Sequence, residues 1–399
     1  MRYTDVAIVG GGLAGSIIAA QLGRAGIDAI LIDPHPRYPA ELRCEKFNAD
    51  QLAILRRTGL ADAALRAATH DREVWIARFG YLLQKRPSDQ HGILYDTLVN
   101  TFRDEIPSGV EIIISKVTSV ATSAERQTLT LADSEQISAR LIVMATGLNI
   151  GLRHMLGLER RVISECHSIT LGFDMAPVDR AAFDFPALTY YPERSSDRAA
   201  YLTLFPVGDA MRANLMVYRG MDDPWLHEMR HQPEAALSAL MPRLRRITGD
   251  FRINRPVKIR PADLYVTHGH RQHGVVLAGD AFATSCPAAG TGTDKVFTDA
   301  ERLCNVHIPN WLTSEGMGAD KIAAFYNDPV KLACDAASTA KAYHLRSMSI
   351  DNHLPWRAAR WARFLTRLTQ GKLQQAQHLF GLDPRPANGE GQPRIRKAA

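Results

Sequence analysis

The sequence predicts an α/β chain: a parallel sheet flanked by helices, with a smaller mixed β-sheet inserted in it and helices at its C-terminal end. Three observations carry this expectation. A short β-branched run at residues 6–9 leads directly into glycines and then into a helical pattern. Two further buried-strand runs, residues 141–145 and 274–277, stand far downstream. Between them the pattern turns to apolar–polar alternation, which marks antiparallel strands with one covered face.

The opening unit comes first. Gly10, Gly12 and Gly15 form G-x-G-x-x-G directly after the strand. Ile17, Ile18, Gln21 and Leu22 follow at helical spacing, and Gly26 fits a helix stop. Residues 29–32 form a second strand, which ends on Asp33. Gly10 permits a tight turn, Gly12 lets a pyrophosphate approach the backbone, and Gly15 lets the helix pack close to the strand. The helix start at Leu13 and Ala14 offers free N–H groups and partial positive charge to phosphates. Asp33 lies 18 residues after Gly15, near the spacing of a carboxylate that grips ribose hydroxyls. Together these parts form a Rossmann-like dinucleotide-binding unit.

The remaining elements follow in order. The Pro-rich residues 34–40 are a loop. Asn48 or Asp50 caps a short helix carrying Leu52, Leu55 and Leu60, and Arg43 and Lys46 stand in the loop before it. Residues 73–84 read as two strands around Gly80, and residues 91–102 as a helix with Leu94, Leu98 and Phe102 on one stripe. Residues 110–119, 127–131 and 136–144 read as a three-stranded meander. Residues 168–175, 187–191, 199–205 and 213–218 alternate as antiparallel strands, with Gly208-Asp209 in a loop joining the last two. On these strands Tyr201, Thr203 and Phe205 share one face, as do Asn214, Met216 and Tyr218. Residues 224–246 read as helical and residues 255–266 as strands. Helices are expected from Gly292 onward, over 322–349 and over 356–379, and disorder over 383–399.

Composition narrows the class. A chain of 399 residues accommodates two intertwined domains and a large core. No run of about 18 apolar residues occurs. The first strand starts too close to Met1 for a signal peptide. The five cysteines are widely spaced and make no C-x-x-C pair, which together reads as a cytoplasmic protein. His268, His270 and His273 fit a turn before a strand and bring no carboxylate or Cys, so no metal is expected. The net charge of +6 is uneven, because residues 341–399 hold 11 Lys/Arg against 3 Asp/Glu. No basic patch interleaved with aromatics appears, so nucleic acid is not an expected partner.

Residues 274–303 add a second signature. A strand ends on Gly279-Asp280; Pro287 follows, then a turn at Ala289, Gly290 and Gly292, then a helix. With the opening fingerprint this resembles the 4-hydroxybenzoate hydroxylase-like flavoprotein monooxygenases, over roughly residues 2–303. The resemblance implies FAD, with Asp280 on the ribityl chain and Pro287 beside the isoalloxazine. Ala289, Gly290 and Gly292 would wrap the ring, and the helix would point its N-terminus at it. It also implies Arg43 near the flavin, His91 near the ribityl or pyrophosphate, and a backbone contact from Val117 to adenine. One departure bears on nicotinamide binding. The family's Asp-Gly pair is replaced by Thr146-Gly147, followed by Arg153.

The implied organisation is a discontinuous FAD-binding domain (1–70, 91–165 and 267–330), a substrate-binding β-sheet domain (71–90 and 166–266), C-terminal helices (331–382) and a tail. The implied reaction is hydroxylation of an electron-rich small molecule, aromatic and either free, carrier-bound or lipophilic, through a flavin C4a-hydroperoxide. NAD(P)H would be the electron donor and dioxygen the co-substrate. Tyr201, Asn214 and Met216 are the candidate pocket residues. Alternatives are a geranylgeranyl-reductase-like double-bond reductase, a flavin-dependent halogenase and a non-catalytic flavin-binding protein. The halogenase segment W-x-W-x-I-P is absent, and Lys85 lies nearest its catalytic lysine. The last helix carries Arg357, Arg360, Arg363, Arg367 and Lys372 beside Trp361, Leu365 and Leu368. It reads either as a contact for an anionic membrane or acidic acyl carrier protein, or as a helix docked on the FAD-binding domain with its arginines in water.

Overall fold

In the computed structural model, which describes residues 1–254 and 256–379, strand Arg2–Val9 is central to a seven-stranded sheet. Ala29–Asp33 and Gln136–Met144 pair with it in parallel on either side. Glu111–Ile114 extends the first edge, and Val275–Leu277 pairs in parallel with the end of Gln136–Met144. Gln127–Leu131 pairs antiparallel with the beginning of that strand and carries Val117–Ala121 on its far side. Val6, Ala7, Ile8, Ile142 and Val143 are fully buried, so the central strands are covered on both faces. Helices Leu13–Arg24, Tyr95–Asp104 and Gly292–Arg302 cover one face around Ile17, Leu98 and Phe297.

The second sheet has eight strands. Its order is Phe251–Ile253, Glu159–Pro177, Ala210–Val217, Ala199–Val207, Ala187–Tyr191, Glu73–Arg78 and Tyr81–Pro87, with Lys258–His268 also paired to Glu159–Pro177. Helices Pro224–His231 and Pro233–Leu240 bury one face through Leu226, Met229 and Leu237. The long strand Glu159–Pro177 carries register shifts around Cys166, whose φ is 38°. It therefore runs through the position expected as a domain boundary at 165/166.

Several expected elements differ for identifiable reasons. The helix expected from His91 starts at Tyr95, because His91–Gly92 adds as a strand to Lys46–Phe47 and Thr69–His70. The expected meander is split. Glu111–Ile114 hydrogen-bonds to the open edge of Ala29–Asp33, so only Val117–Ala121 joins Gln127–Leu131. The helical stretch 224–246 breaks into Pro224–His231, Pro233–Leu240 and Arg245–Thr248, with Pro233 opening the second. The stretch 322–349 divides into Ala319–Tyr326 and Pro329–Ile350, where Asp328 caps the N–H groups of Val330 and Lys331. Asn48 rather than Asp50 caps its helix, in a reciprocal capping box with Gln51. The strand residues expected at Arg255 and the tail at 383–399 lie outside the described residues.

The C-terminal helix Leu354–Leu379 does not dock on the parallel-sheet domain. It lies along the edge strand Tyr81–Pro87, where a Cβ on Gly371 would meet the Leu83 carbonyl oxygen at 1.8 Å. Phe79 packs against Trp361 and Phe364. The helix thus covers an otherwise open sheet edge. No helix among the described residues is long and apolar enough to cross a membrane.

One buried ion pair supports the later glycine turn. Lys331 Nζ lies 2.7 Å from Asp299 Oδ1, and Asp299 Oδ2 accepts the Gly279 N–H at 2.8 Å. Both side chains are almost fully buried. Lys331→Ala leaves an uncompensated carboxylate inside, so urea denaturation should show a loss of about 3 kcal/mol. An unchanged midpoint would show that this pair does not hold the turn.

Candidate functional site

A cavity of about 380 Å³ opens beyond the C-terminal ends of the parallel strands, against the mixed sheet. Leu13, Leu148 and Asp280, which follow three of those strands, line one side; Thr170, Tyr201, Thr203, Asn214 and Met216 line the other. Ligands of open α/β sheets bind at such crevices.

The first glycine turn lies at one end. Gly10 has φ 102°, and a Cβ there would meet the Ala145 carbonyl oxygen at 2.6 Å. A Cβ on Gly15 would strike the Gly10 carbonyl oxygen at 1.8 Å, which is the close helix–strand approach its position implied. Gly12 differs. A Cβ there would meet nothing nearer than Tyr38 at 3.7 Å, so the space over it is open. The helix it precedes has no side-chain cap. Asp33 accepts the N–H groups of Gly11 at 2.6 Å and His35 at 2.9 Å. Arg103, buried, approaches the same carboxylate at 3.0 Å and donates to the Gly11 carbonyl oxygen at 2.8 Å. No local pattern marks Arg103; only the packing of its helix against the glycine turn singles it out.

The second turn closes the other end. Gly279 has φ 60°, and a Cβ there would come within 3.6 Å of the Ala14 Cβ, so the turn lies directly on the first helix. Asp280 pairs with Arg43 at 2.8 Å, and Arg43 pairs with Glu41 at 2.7 Å. Burial opposes ionisation of Glu41, but hydrogen bonds and charge from Arg43, with help from Tyr38 and Arg260, outweigh it and hold the carboxyl at about 2. Arg43 also sits over the Tyr95 ring, 5.6 Å from its centroid, and burial pushes that phenol up to about 12. Gln51 Nε2 donates to the Gly290 carbonyl oxygen and to Asp294 Oδ2, each at 2.9 Å. This fixes the turn before helix Gly292–Arg302. That helix too has no side-chain cap, and Gly292, Thr293 and Val296 of its first turns line the cavity.

On the mixed sheet, Tyr201 stands opposite Met216 and Thr203 opposite Asn214, so their shared face forms the cavity wall. The Tyr201 hydroxyl donates to the Ala288 carbonyl oxygen, tying the wall to the Pro287 turn. Beneath lies a buried polar cluster. Arg212 donates to Glu45 at 2.7 and 2.8 Å and to Asp174 at 3.0 Å, and Asn214 donates to Glu45 at 2.8 Å.

Of the residues singled out from sequence, Leu13, Arg43, Tyr201, Asn214, Met216, Asp280, Pro287, Gly290 and Gly292 line this one cavity. Gly10, Gly12, Ala14, Gly15 and Asp33 form the turn beside Leu13. Ala289 is buried in the Pro287 turn behind the wall. Val117 opens a strand two residues after Ser115, whose N–H bonds the Asp33 carbonyl oxygen at 3.2 Å. His91 does not line the cavity. Its ring stacks between Phe47 and His70, at 5.4 and 4.6 Å, because its strand belongs to the small third sheet. Tyr95, at the start of the shortened helix, occupies the cavity instead. Lys85 lies elsewhere, with its ammonium 4.2 Å from the Trp75 ring centroid. Arg153 is buried and donates to the Ala281 carbonyl oxygen at 2.8 Å, so it braces the Asp280 turn.

Two uncapped helix starts, an open glycine cradle and two held carboxylates stand around one space, and these residues fit FAD. Residues 3–306 match the family described as "FAD binding domain", and the chain belongs to that family. It is similar to 3-amino-4-hydroxybenzoate 2-monooxygenase PtmB3 of Streptomyces platensis, 27% identical over 208 residues, which cover 47% of this chain and 50% of that protein. The matched stretch thus spans about half the length of that relative. It is also similar to 3-demethoxyubiquinol 3-hydroxylase of Escherichia coli strain K12, 25% identical over 333 residues, covering 76% of this chain and 79% of that one. Among solved structures, p-nitrophenol 4-monooxygenase PnpA from Pseudomonas putida DLL-E4 shares the fold. Its TM-score is 0.75 at 17% identity, over 97% of this chain and 100% of that one.

Gly12→Ala separates binding from folding. With φ −75° and open space at its Cβ, alanine fits the free protein. The apoprotein melting temperature should hold while FAD affinity falls about tenfold or more, since the methyl group stands where a pyrophosphate must come. Equal affinity, read by flavin fluorescence titration, would remove Gly12 from the site.

Proposed function

We propose that the protein is an FAD-dependent monooxygenase that hydroxylates an electron-rich aromatic acid, with electrons from NAD(P)H and oxygen from dioxygen. The observation that carries this reading is the charge arrangement of the cavity. Of its four cations, Arg43 is paired with Glu41 and Asp280, Arg160 with Asp263, and Arg260 with Glu41. Lys46 forms no direct ion pair among the described residues; it sits over the Phe205 ring at 5.1 Å, and the buried Asp71 carboxylate favours its charge from a distance. An anionic group on the substrate would complete the balance. The relative PtmB3 is named for an aminohydroxybenzoate, a substrate with both an activated ring and a carboxylate.

When bound, FAD supplies the electron transfer and oxygen activation that side chains lack. The residues of this chain position and exclude. Leu42, Met216, Pro261, Pro287 and Val296 give the cavity apolar walls that keep water from the reacting atoms. The N-terminus of Gly292–Arg302 favours negative charge at the turn that wraps it. Lys46 orients the substrate by its carboxylate. The Glu45–Arg212–Asp174 cluster holds Asn214 rigid in the wall.

The first test is direct. Purified protein should be yellow and should oxidise NAD(P)H faster, with oxygen consumed, when hydroxybenzoates or aminobenzoates are supplied. Turnover undiminished without oxygen would favour a reductase instead. Lys46 gives a sharper check. Burial pulls its ammonium down to about 8. It is therefore charged below that pH and neutral above it, so affinity for an aromatic carboxylate should weaken as pH rises past 8. Lys46→Met should raise KM about tenfold, change kcat less, and flatten that pH dependence. A KM that stays put in this variant would place the substrate carboxylate elsewhere.

A further inference from the structure

We propose that the cleft between the C-terminal helix and the edge of the mixed sheet binds a phosphate group. Its lining brings together Arg78, Arg194, Arg360, Arg363 and Arg367 and includes no carboxylate. None of the five forms an ion pair among the described residues. Arg78 donates to the Pro192 carbonyl oxygen at 3.0 Å, and Arg360 to that of Asp351 at 2.7 Å. Arg363 and Arg367 lie over the Tyr191 ring, 5.4 and 4.7 Å from its centroid. These contacts leave most N–H groups of each guanidinium unused. The neighbouring acids contact other groups directly, Glu193 facing Arg243 at 3.7 Å and the Asp351 carboxylate accepting the His353 N–H at 2.9 Å; they offset Arg78 and Arg360 only from a distance, leaving five guanidiniums against two acids.

Gathering five like charges in a part-buried cleft is unfavourable without a counter-anion. Burial and the nearby Arg360 both push the Arg78 guanidinium down. Planar forks match phosphate oxygens two at a time, which an isolated chloride cannot exploit. The hydroxyl groups of Ser195 and Ser349, also in the lining, add neutral donors. The site is distinct from the flavin cavity yet backs onto it. Ala200 lines the cleft, Tyr201 lines the cavity, and the Tyr191 and Tyr201 rings lie 6.4 Å apart.

The test uses the FAD-loaded protein at constant ionic strength, without substrate. It is titrated with inorganic phosphate and, separately, with phosphatidate in phosphatidylcholine vesicles. Binding of phosphate assigns a soluble phosphate compound; binding of vesicles alone assigns a lipid headgroup; either supports the site if the variants abolish it. Arg360→Gln with Arg363→Gln should weaken the bound probe about tenfold or more. Arg66→Gln, a cation outside the cleft, should leave it unchanged. Should the double variant fold poorly, Arg194→Gln on the exposed rim should still cost about threefold. Unaltered binding in these variants, equal displacement by chloride, or no binding of either probe overturns the proposal.

Discussion

The site depends on how closely the Gly279-Asp280 turn approaches the first helix. A Cβ on Gly279 would touch Ala14 at 3.6 Å and crowd Val296 at 3.2 Å, and the buried Asp299–Lys331 pair holds the Gly279 N–H from below. This approach brings two uncapped helix N-termini to one space. Two positive helix ends facing each other are unfavourable alone and favourable around a negatively charged ligand. The two carboxylates beside that space are themselves restrained by guanidiniums, Asp33 by Arg103 and Asp280 by Arg43. Each acid is held in place by a neighbour from a different element.

The mixed sheet meets a second constraint. One face buries Leu226, Met229 and Leu237, while part of the other must stay open as a cavity wall. That wall stays rigid because Glu45, Arg212, Asp174 and Asn214 satisfy one another beneath it. The free edge at Tyr81–Pro87 is a separate liability, and the C-terminal helix covers it. Covering it places the helix arginines against Arg78 and Arg194. The basic character of the helix thus faces partly inward, toward the cleft, as well as into solvent.

Where local chemistry decides local structure, the sequence was readable. The G-x-G-x-x-G turn, the Asn48 cap and the Gly-Asp-Pro turn each rest on residues a few positions apart. Misreadings arose where a distant strand competed. His91 opens a stretch whose stripe of Leu94, Leu98 and Phe102 suits a helix, but Lys46–Phe47 and Thr69–His70 capture it as a strand, and Tyr95 takes the cavity position. Residues 110–119 read as one strand of a meander, but the open edge of Ala29–Asp33 claims the hydrogen bonds of Glu111–Ile114.

By itself, the order of residues determined the α/β class, the two glycine-bearing turns and the alternating faces that carry Tyr201, Thr203, Asn214 and Met216. Those features follow from short-range sterics and strand periodicity, which need no knowledge of what packs against them. Only the tertiary structure decided which face meets the cavity, that Tyr95 lines it and Arg103 backs the first glycine turn, and that Lys46 has no direct ion pair among the described residues. These are outcomes of contacts between segments far apart in the chain. Whether a charge is paired depends on which other charges arrive beside it, and no local pattern encodes that.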